Sequence, residues 1–295
     1  MPHWTEIEAA ISKATGRTFR CVRRAPVGGG CINAATILDS GDTRFFVKYN
    51  RAEQLWMFEA EIAGLSAIAA TSSVAVPAPL CAGVAGGDAF LVIEYLPMGP
   101  ASTATAAALG TQLAALHSLA QPCFGFEMDN AIGSTPQQNP QSDDWVEFFR
   151  RHRLEYQLDL ANKAGRGGSA LQTKGARLCD GLGGLFTGYS PVPSLLHGDL
   201  WSGNYAALKN GAPVIFDPAV YRGDREADLA MTELFGGFPR AFYDAYAAVS
   251  PLDPGYLVRR TLYNLYHVLN HLNLFGSGYL RQAEEMLDQL LAELE

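Results

Sequence analysis

The sequence is short of positive charge. Its 22 lysine and arginine residues face 30 aspartate and glutamate residues, which gives a formal net charge of -8 over 295 residues. We expect no nucleic-acid partner, because nucleic-acid phosphates attract basic surfaces. No stretch comes near the roughly 18 uninterrupted apolar residues of a membrane-spanning helix, so we expect no membrane contact either.

Cysteine is also scarce, and its arrangement excludes two common roles. The cysteines are odd in number and show no paired spacing of a structural zinc site. No basic and apolar signal segment is visible at the N-terminus, so we expect reduced thiols and a cytoplasmic location. The five cysteines are Cys21, Cys31, Cys81, Cys123 and Cys179.

The composition is that of an ordinary globular protein, with 48% hydrophobic and 18% charged residues. After a short helical pattern at Trp4, Ile7 and Ile11, strand-like runs and Gly/Pro turns cluster early, and helical patterns dominate later. We therefore predict an α+β protein with two lobes. Residues 1–96 would form a small antiparallel sheet with one main helix, and residues 97–295 a larger, mainly helical lobe.

The most informative stretch is 196–204, Leu-His-Gly-Asp-Leu-Trp-Ser-Gly-Asn, which is polar at its centre. Asn204 follows Asp199 by five positions, and a short β-rich run then leads to Asp217. This layout is typical of protein-kinase-like phosphotransferases, so we predict that fold. Alone, Asp199 and Asn204 could merely cap a turn; the complete set favours the kinase interpretation.

Phosphoryl transfer explains these residue types. The attacking hydroxyl needs a carboxylate that accepts its proton, and Mg²⁺ needs oxygen ligands. We assign Asp199 as the base, with Asn204 and Asp217 as metal ligands. The same interpretation implies ATP, bound between the lobes, as the phosphate donor.

A glycine triplet, Gly28, Gly29 and Gly30, lies between two predicted strands. Glycine lets backbone N–H groups approach phosphate oxygens closely, although hairpin turns also use glycine. The loop lacks the Gly-Lys-Ser/Thr ending of a Walker site. Its position before the strand that carries Lys48 favours a nucleotide-binding role.

Lys48 is predicted to contact the nucleotide phosphates and to pair with a glutamate of the next helix. Glu59 and Glu61 both qualify, and spacing does not decide between them. Farther along, a buried strand runs into Pro97 and is typical of a hinge. There the backbone of Glu94 and Leu96 could bond adenine; the other interpretation is a plain core strand followed by a loop.

Two further charged residues are candidates for inward roles. Asp228 lies where a charged loop enters a predicted buried helix, and it could cap that helix or brace the catalytic backbone. Arg153 belongs to a basic run whose other members we expect to be solvated.

These segments together resemble the fructosamine/ketosamine 3-kinase family, relatives of aminoglycoside and choline phosphotransferases. His-Gly-Asp is shared by the wider superfamily, whereas Leu-Trp-Ser-Gly-Asn at 200–204 with Asp-Pro-Ala at 217–219 is much more specific. The match covers nearly the whole chain in order. The matching segments are 28–33, 46–48, 57–61, 197–204, 216–219, 223–226, 228–230 and 274–276.

The resemblance implies ATP- and Mg²⁺-dependent phosphorylation of the 3-hydroxyl of a ketosamine, such as a fructosamine, ribulosamine or erythrulosamine adduct. The 3-phosphate would promote loss of the sugar, so the enzyme would act in deglycation. The family pattern favours Glu61 over Glu59 as the partner of Lys48. The amine carrier could be free lysine, a small amine or a protein side chain.

Two residues are candidates for substrate contacts. Trp201, two residues after the proposed base, could pack its indole against the sugar chain, or it could only hold the loop. Asp224 could bind the cationic amine. Cys31, in the glycine loop, could link two chains in a redox-dependent dimer, or it could be an inert small residue.

Two other functions remain open at this level. One is a phosphotransferase for another small hydroxyl compound, such as an aminoglycoside or choline; Trp201 and the Asp-Pro-Ala run at 217–219 count against it. The other is a nucleotide-binding scaffold without turnover, and the complete set of catalytic groups counts against that.

Overall fold

The computed structural model describes residues 3–28 and 32–295. Its N-terminal part holds a five-stranded antiparallel sheet in the order β1-β2-β3-β5-β4, as predicted. The strands are β1 (Arg23–Val27), β2 (Ala34–Asp39), β3 (Arg44–Arg51), β4 (Pro79–Ala85) and β5 (Asp88–Glu94).

Two helices cover this sheet, α1 (Trp4–Thr15) and α2 (Leu55–Thr71). Successive side chains of a strand point to opposite faces of the sheet, so β5 can pack against one helix on each face. Phe90 and Val92 pack in the cluster that contains Ile7 and Ile11 of α1. Leu91 packs with residues of α2. The helical pattern predicted at Trp4, Ile7 and Ile11 is thus confirmed as α1, which lies on the sheet opposite the predicted main helix α2.

The remainder is mainly helical, as predicted. A π-helical turn at Arg150–Glu155 joins α4 to α5. The helices are α3 (Thr103–His117), α4 (Trp145–Phe149), α5 (Tyr156–Lys163), α6 (Gly168–Gly181), α7 (Glu226–Leu234), α8 (Arg240–Val249), α9 (Tyr256–Phe275) and α10 (Leu280–Ala292). Short 3-10 turns occur at Ala52–Gln54, Leu182–Phe186 and Ser277–Tyr279. No helix in the described ranges is long and apolar enough to cross a membrane.

Short strand pairs position residues 197–204, the proposed catalytic loop, between these helices. The strands are β6 (Met98–Gly99), β7 (Asn130–Ile132), β8 (Thr135–Gln137), β9 (Ser194–Leu196), β10 (Tyr205–Leu208), β11 (Pro213–Ile215) and β12 (Tyr221–Gly223). β9 pairs with β12, and β10 pairs with β11 and β6. β9 ends just before His197 and β11 just before Phe216, so two buried strands deliver the polar residues to one place.

The two parts of the chain also bond to each other. The Ile215 N–H donates to the Ala75 carbonyl over 3.0 Å. Gly64 of α2 lies so close to Val220 that a Cβ would approach its side chain to 2.9 Å. Our predicted boundary between residues 96 and 97 falls between β5 and β6, and it stays a prediction.

Candidate active site

A buried carboxylate holds the loop that follows β9. The N–H groups of His197 and Gly198 donate to Asp228, over 2.7 Å to Oδ2 and 2.8 Å to Oδ1. Gly198 has φ +81°, and a Cβ there would lie 2.0 Å from the Ala219 carbonyl oxygen, so glycine is required. Asp228 lies in the first turn of α7, and its predicted bracing role is confirmed.

His117 of α3 supports the same carboxylate. Its Nε2 lies 3.1 Å from Asp228 Oδ2, and its Nδ1 lies 2.9 Å from the Tyr246 hydroxyl. Burial would raise the pKa of Asp228, but hydrogen bonds from His117 and the Gly198 N–H hold it below its usual value. Asp228 is therefore ionised at neutral pH and can accept from the loop backbone.

The His197 side chain joins the two strand-delivered segments. Burial lowers the pKa of His197, so the ring is neutral at pH 7. Its Nε2 donates to the Phe216 carbonyl over 3.0 Å, and its Nδ1 accepts from the Asp199 N–H over 3.3 Å. This ring therefore fixes Asp199 beside the residue that precedes Asp217.

Asp199 and Asn204 lie in direct contact. Nδ2 of Asn204 donates to the Asp199 carbonyl over 2.8 Å and to the Asp199 carboxylate over 3.2 Å. Burial, together with the nearby negative charge of Asp217, raises the pKa of Asp199 to about 7. A cation bound at Asp217 would lower that pKa again, because it would favour the ionised carboxylate.

Asp217 has a backbone φ of +57°, which is unusual for a residue with a side chain. Its Oδ1 accepts from Lys48 Nζ over 2.6 Å, and Lys48 donates equally closely to Glu61. Glu61 of α2 is thus the partner of Lys48, whereas Glu59 is exposed. Burial would lower the pKa of Lys48, but the two carboxylates raise it above its usual value, so the lysine is charged.

The predicted metal ligands have free oxygens that fit Mg²⁺. Asn204 donates through its Nδ2 to the Asp199 carbonyl and carboxylate, and no described residue donates to its Oδ1. Lys48 takes one carboxylate oxygen of Asp217 and leaves the other. Two protein oxygens suit Mg²⁺, which completes its shell with water and nucleotide phosphates. The described ranges contain no cluster of three or more His, Cys, Asp or Glu residues suited to a metal.

Part of the predicted nucleotide site lies within the described residues. Glu94 is the last residue of β5, and the N–H of Leu96 has no hydrogen-bond acceptor in the described part of the chain. That N–H is free for adenine, as the hinge interpretation requires. Gly28 has open space at the position of a Cβ. Gly29, Gly30 and Cys31 lie outside the described residues, so their proposed roles stay predictions.

Trp201 faces outward from the catalytic loop. Its side chain is 37% exposed and meets Phe235 edge-on, with ring centroids 6.3 Å apart. A Cβ on Gly203 would lie 2.4 Å from the indole, so glycine makes room for this orientation. The indole is therefore accessible to an acceptor near Asp199.

Asp224 is placed differently from our prediction. It is fully buried, and its oxygens accept from the hydroxyls of Tyr189 at 2.8 Å and Tyr263 at 2.6 Å. The Glu226 N–H donates to it as well. No oxygen of this carboxylate is accessible to a substrate amine, so we replace the predicted contact with a structural role at the start of α7.

The β7–β8 hairpin contributes supporting residues that the sequence did not single out individually. Nδ2 of Asn130 donates to the Val220 carbonyl over 2.7 Å, and Nε2 of Gln137 donates to the Ala219 carbonyl over 3.2 Å. Arg153 is fully buried, as predicted for an inward residue. The amide-rich run 137–139 could have indicated this supporting role, because buried side-chain amides usually hydrogen-bond to irregular backbone.

The fold and the site define a protein-kinase-like phosphotransferase. The fold is shared with a solved structure of the aminoglycoside phosphotransferase APH(4)-Ia, which superposes with a TM-score of 0.65 at 15% identity, covering 99% of this chain and 98% of that one. Within this class, the chain belongs to the fructosamine kinase family, whose model matches residues 3–293. The resemblance seen in the sequence is confirmed.

Similar proteins extend along the whole chain. The probable ketoamine kinase of Synechocystis sp. is 50% identical over 289 residues, covering 98% of this chain and 97% of the relative. The chloroplastic protein-ribulosamine 3-kinase of Arabidopsis thaliana is 45% identical, covering 95% and 86%. A crystal structure from Haemophilus somnus assigned to the fructosamine-3-kinases has a TM-score of 0.90 at 28% identity, covering 98% and 97%.

Proposed function

We propose that this protein transfers the γ-phosphoryl group of ATP to the 3-hydroxyl of a ketosamine and thereby promotes deglycation in the cytoplasm. One observation carries the proposal. Lys48, paired with Glu61, meets Asp217 at the point where the catalytic loop presents Asp199 and Asn204. Family membership supports the ketosamine as the acceptor.

In this reaction the 3-hydroxyl oxygen bonds to the γ-phosphorus while the bond to the β–γ bridging oxygen breaks, and ADP leaves. Asp199 orients the hydroxyl and accepts its proton. Lys48 supplies a fixed positive charge to the phosphates. Asn204 and Asp217 would hold Mg²⁺, which neutralises charge on the phosphates when it is bound.

A substrate panel tests the function. ATP consumption would be measured with ribulosamine, fructosamine, an aminoglycoside, choline and simple ketoses. We expect turnover with ketosamines, and mass spectrometry should find the phosphate on the 3-oxygen. Turnover confined to an aminoglycoside or to choline would replace the proposal with the rival phosphotransferase.

Asp217→Ala should weaken Mg²⁺-ATP binding by about tenfold or more, because the variant loses an anionic metal ligand. Calorimetric titration with and without Mg²⁺ measures this. The metal-dependent part of the affinity should disappear, while Asp244→Ala, at an exposed aspartate, should bind as the wild type does. Unchanged Mg²⁺-ATP affinity in Asp217→Ala would remove it from the ligand set.

Trp201→Ala should raise KM for the ketosamine several-fold and leave KM for ATP and the melting temperature nearly unchanged. The reason is that its half-exposed ring contributes little to the core. Trp201→Phe keeps an aromatic face, so its KM for the ketosamine should lie between those of the wild type and Trp201→Ala. A lower melting temperature with poorer use of both substrates would assign Trp201 to packing alone.

We further propose that Cys31 is the thiol whose oxidation links two chains. Three glycines precede it in the sequence, whereas burial raises the pKa of Cys81 to about 11 and that of Cys179 to about 12. Mild oxidant should reduce activity and produce a disulfide-linked dimer. Cys31→Ser should show neither change, and equal inactivation of this variant would place the oxidation elsewhere.

A further inference from the structure

Five rings form a continuous row that starts in the catalytic loop. Trp201 meets Phe235 at 6.3 Å, and Phe235 lies 4.9 Å from His271. The His271 ring is 5.4 Å from Phe275 and 5.1 Å from Tyr279. Each step falls within the roughly 4.5–7 Å separation of interacting aromatic pairs. We call these five residues the aromatic row.

The row is exposed at both ends. Trp201 is 37% exposed and Phe275 is 53% exposed. By contrast, Tyr263 and Tyr266 on the same helix as Phe275 are buried in the core. Phe235, His271 and Tyr279 are partly exposed. Exposed aromatic side chains that lie next to one another mark a contact with a ligand or partner.

The row also borders the proposed catalytic cleft. A Cβ on Gly133, at the β7–β8 turn, would lie 2.8 Å from Leu274, the neighbour of Phe275, and 3.9 Å from Ile32. Ile32 comes two residues after the glycine triplet. The Phe275 end of the row therefore lies near Ile32 and the β7–β8 turn, while the Trp201 N–H donates to the carbonyl of the proposed base over 3.2 Å. An acceptor whose hydroxyl reaches Asp199 can extend its remaining part over the row.

We propose that the aromatic row binds the amine carrier of the ketosamine and favours peptides with apolar side chains beside the glycated lysine. This inference rests on the proposed function, because it places the ketosamine sugar at Asp199. The row contains no carboxylate, lysine or arginine. Burial lowers the pKa of His271, so its ring is uncharged near pH 7. Such a surface gains from apolar contacts and offers little to a hydrophilic carrier.

Two glycated peptides test the inference. Acetyl-Leu-Lys-Leu-amide and acetyl-Gly-Lys-Gly-amide, each carrying ribulosamine on the lysine, would be compared by ATP consumption. We expect the wild-type chain to prefer the leucine peptide by about tenfold in kcat/KM, the effect of burying one or two apolar side chains. Phe275→Ser and Tyr279→Ser should each reduce this ratio toward one. Leu257→Ser, at a 61% exposed residue near the other end of α9, should keep it.

Four results would overturn the inference. Equal use of both peptides by the wild type, or an unchanged ratio in both ring variants, would sink the carrier assignment and leave the ketosamine activity standing. Phe275→Ser that alters the sedimentation coefficient but not the ratio would assign the row to contact between chains. No turnover of either peptide, or of methylamine-ribulosamine, would remove the proposed function and this inference together.

Discussion

Asp199→Asn should lower kcat by roughly 10²–10⁴-fold, the range expected when a positioned general base is lost. Nucleotide affinity should be kept, because Lys48, Asn204 and Asp217 are all retained. The substitution preserves the shape of the side chain and its contact with Asn204. Steady-state ATP consumption and calorimetric nucleotide titration would measure the two quantities on the same preparation.

The melting temperature separates this catalytic effect from unfolding. Burial and the charge of Asp217 both disfavour the ionised form of Asp199, which is why its pKa is raised. A neutral amide removes that repulsion, so Asp199→Asn should be at least as stable as the wild type. Asp244→Asn, an exposed exchange of the same kind, is the matched control. Wild-type turnover in Asp199→Asn would end the assignment as the base.

The sequence predicted which residues of the candidate site lie together, because the proposed chemistry dictates their types. Lys48 and Asp217 are 169 positions apart, yet they meet at 2.6 Å. Hydrophobic periodicity alone would not have predicted that these two residues meet. The kinase-like order of the motifs did predict it. The choice of Glu61 over Glu59 depended on the family resemblance, since neighbouring helix positions differ in which face they present, and the sequence does not fix the rotation of α2.

Asp224 shows where sequence reasoning stops. A carboxylate in a charged segment is normally solvated, and its proximity in sequence to the catalytic stretch suggested a substrate contact. Its burial depends on tyrosines 35 and 39 positions away that close over it. Such packing is a property of the assembled helices. The same limit applies to the aromatic row, whose rings come from the catalytic loop, the segment after α7, and the end of α9.

Asp228→Asn has the second large effect that we expect, and its mechanism differs from that of Asp199→Asn. Asp228 touches no reacting atom; it accepts the N–H groups of His197 and Gly198 and contacts His117. An asparagine has one oxygen for two backbone donors, so its NH₂ group must face a donor in the buried site. The unsatisfied donor costs about 1–3 kcal/mol, and the loop should shift.

This positioning role is tested by measuring kcat and KM separately. A shift of about 1 Å in catalytic groups can reduce the rate roughly 10²-fold, so kcat should fall by about that factor, while KM for ATP should change little. The melting temperature should also fall. Tyr246→Phe, which keeps Asp228 and removes only the hydroxyl next to His117, should show a much smaller loss of kcat. If Asp228→Asn lowers the melting temperature yet retains wild-type kcat, the carboxylate stabilises the fold without setting the catalytic geometry.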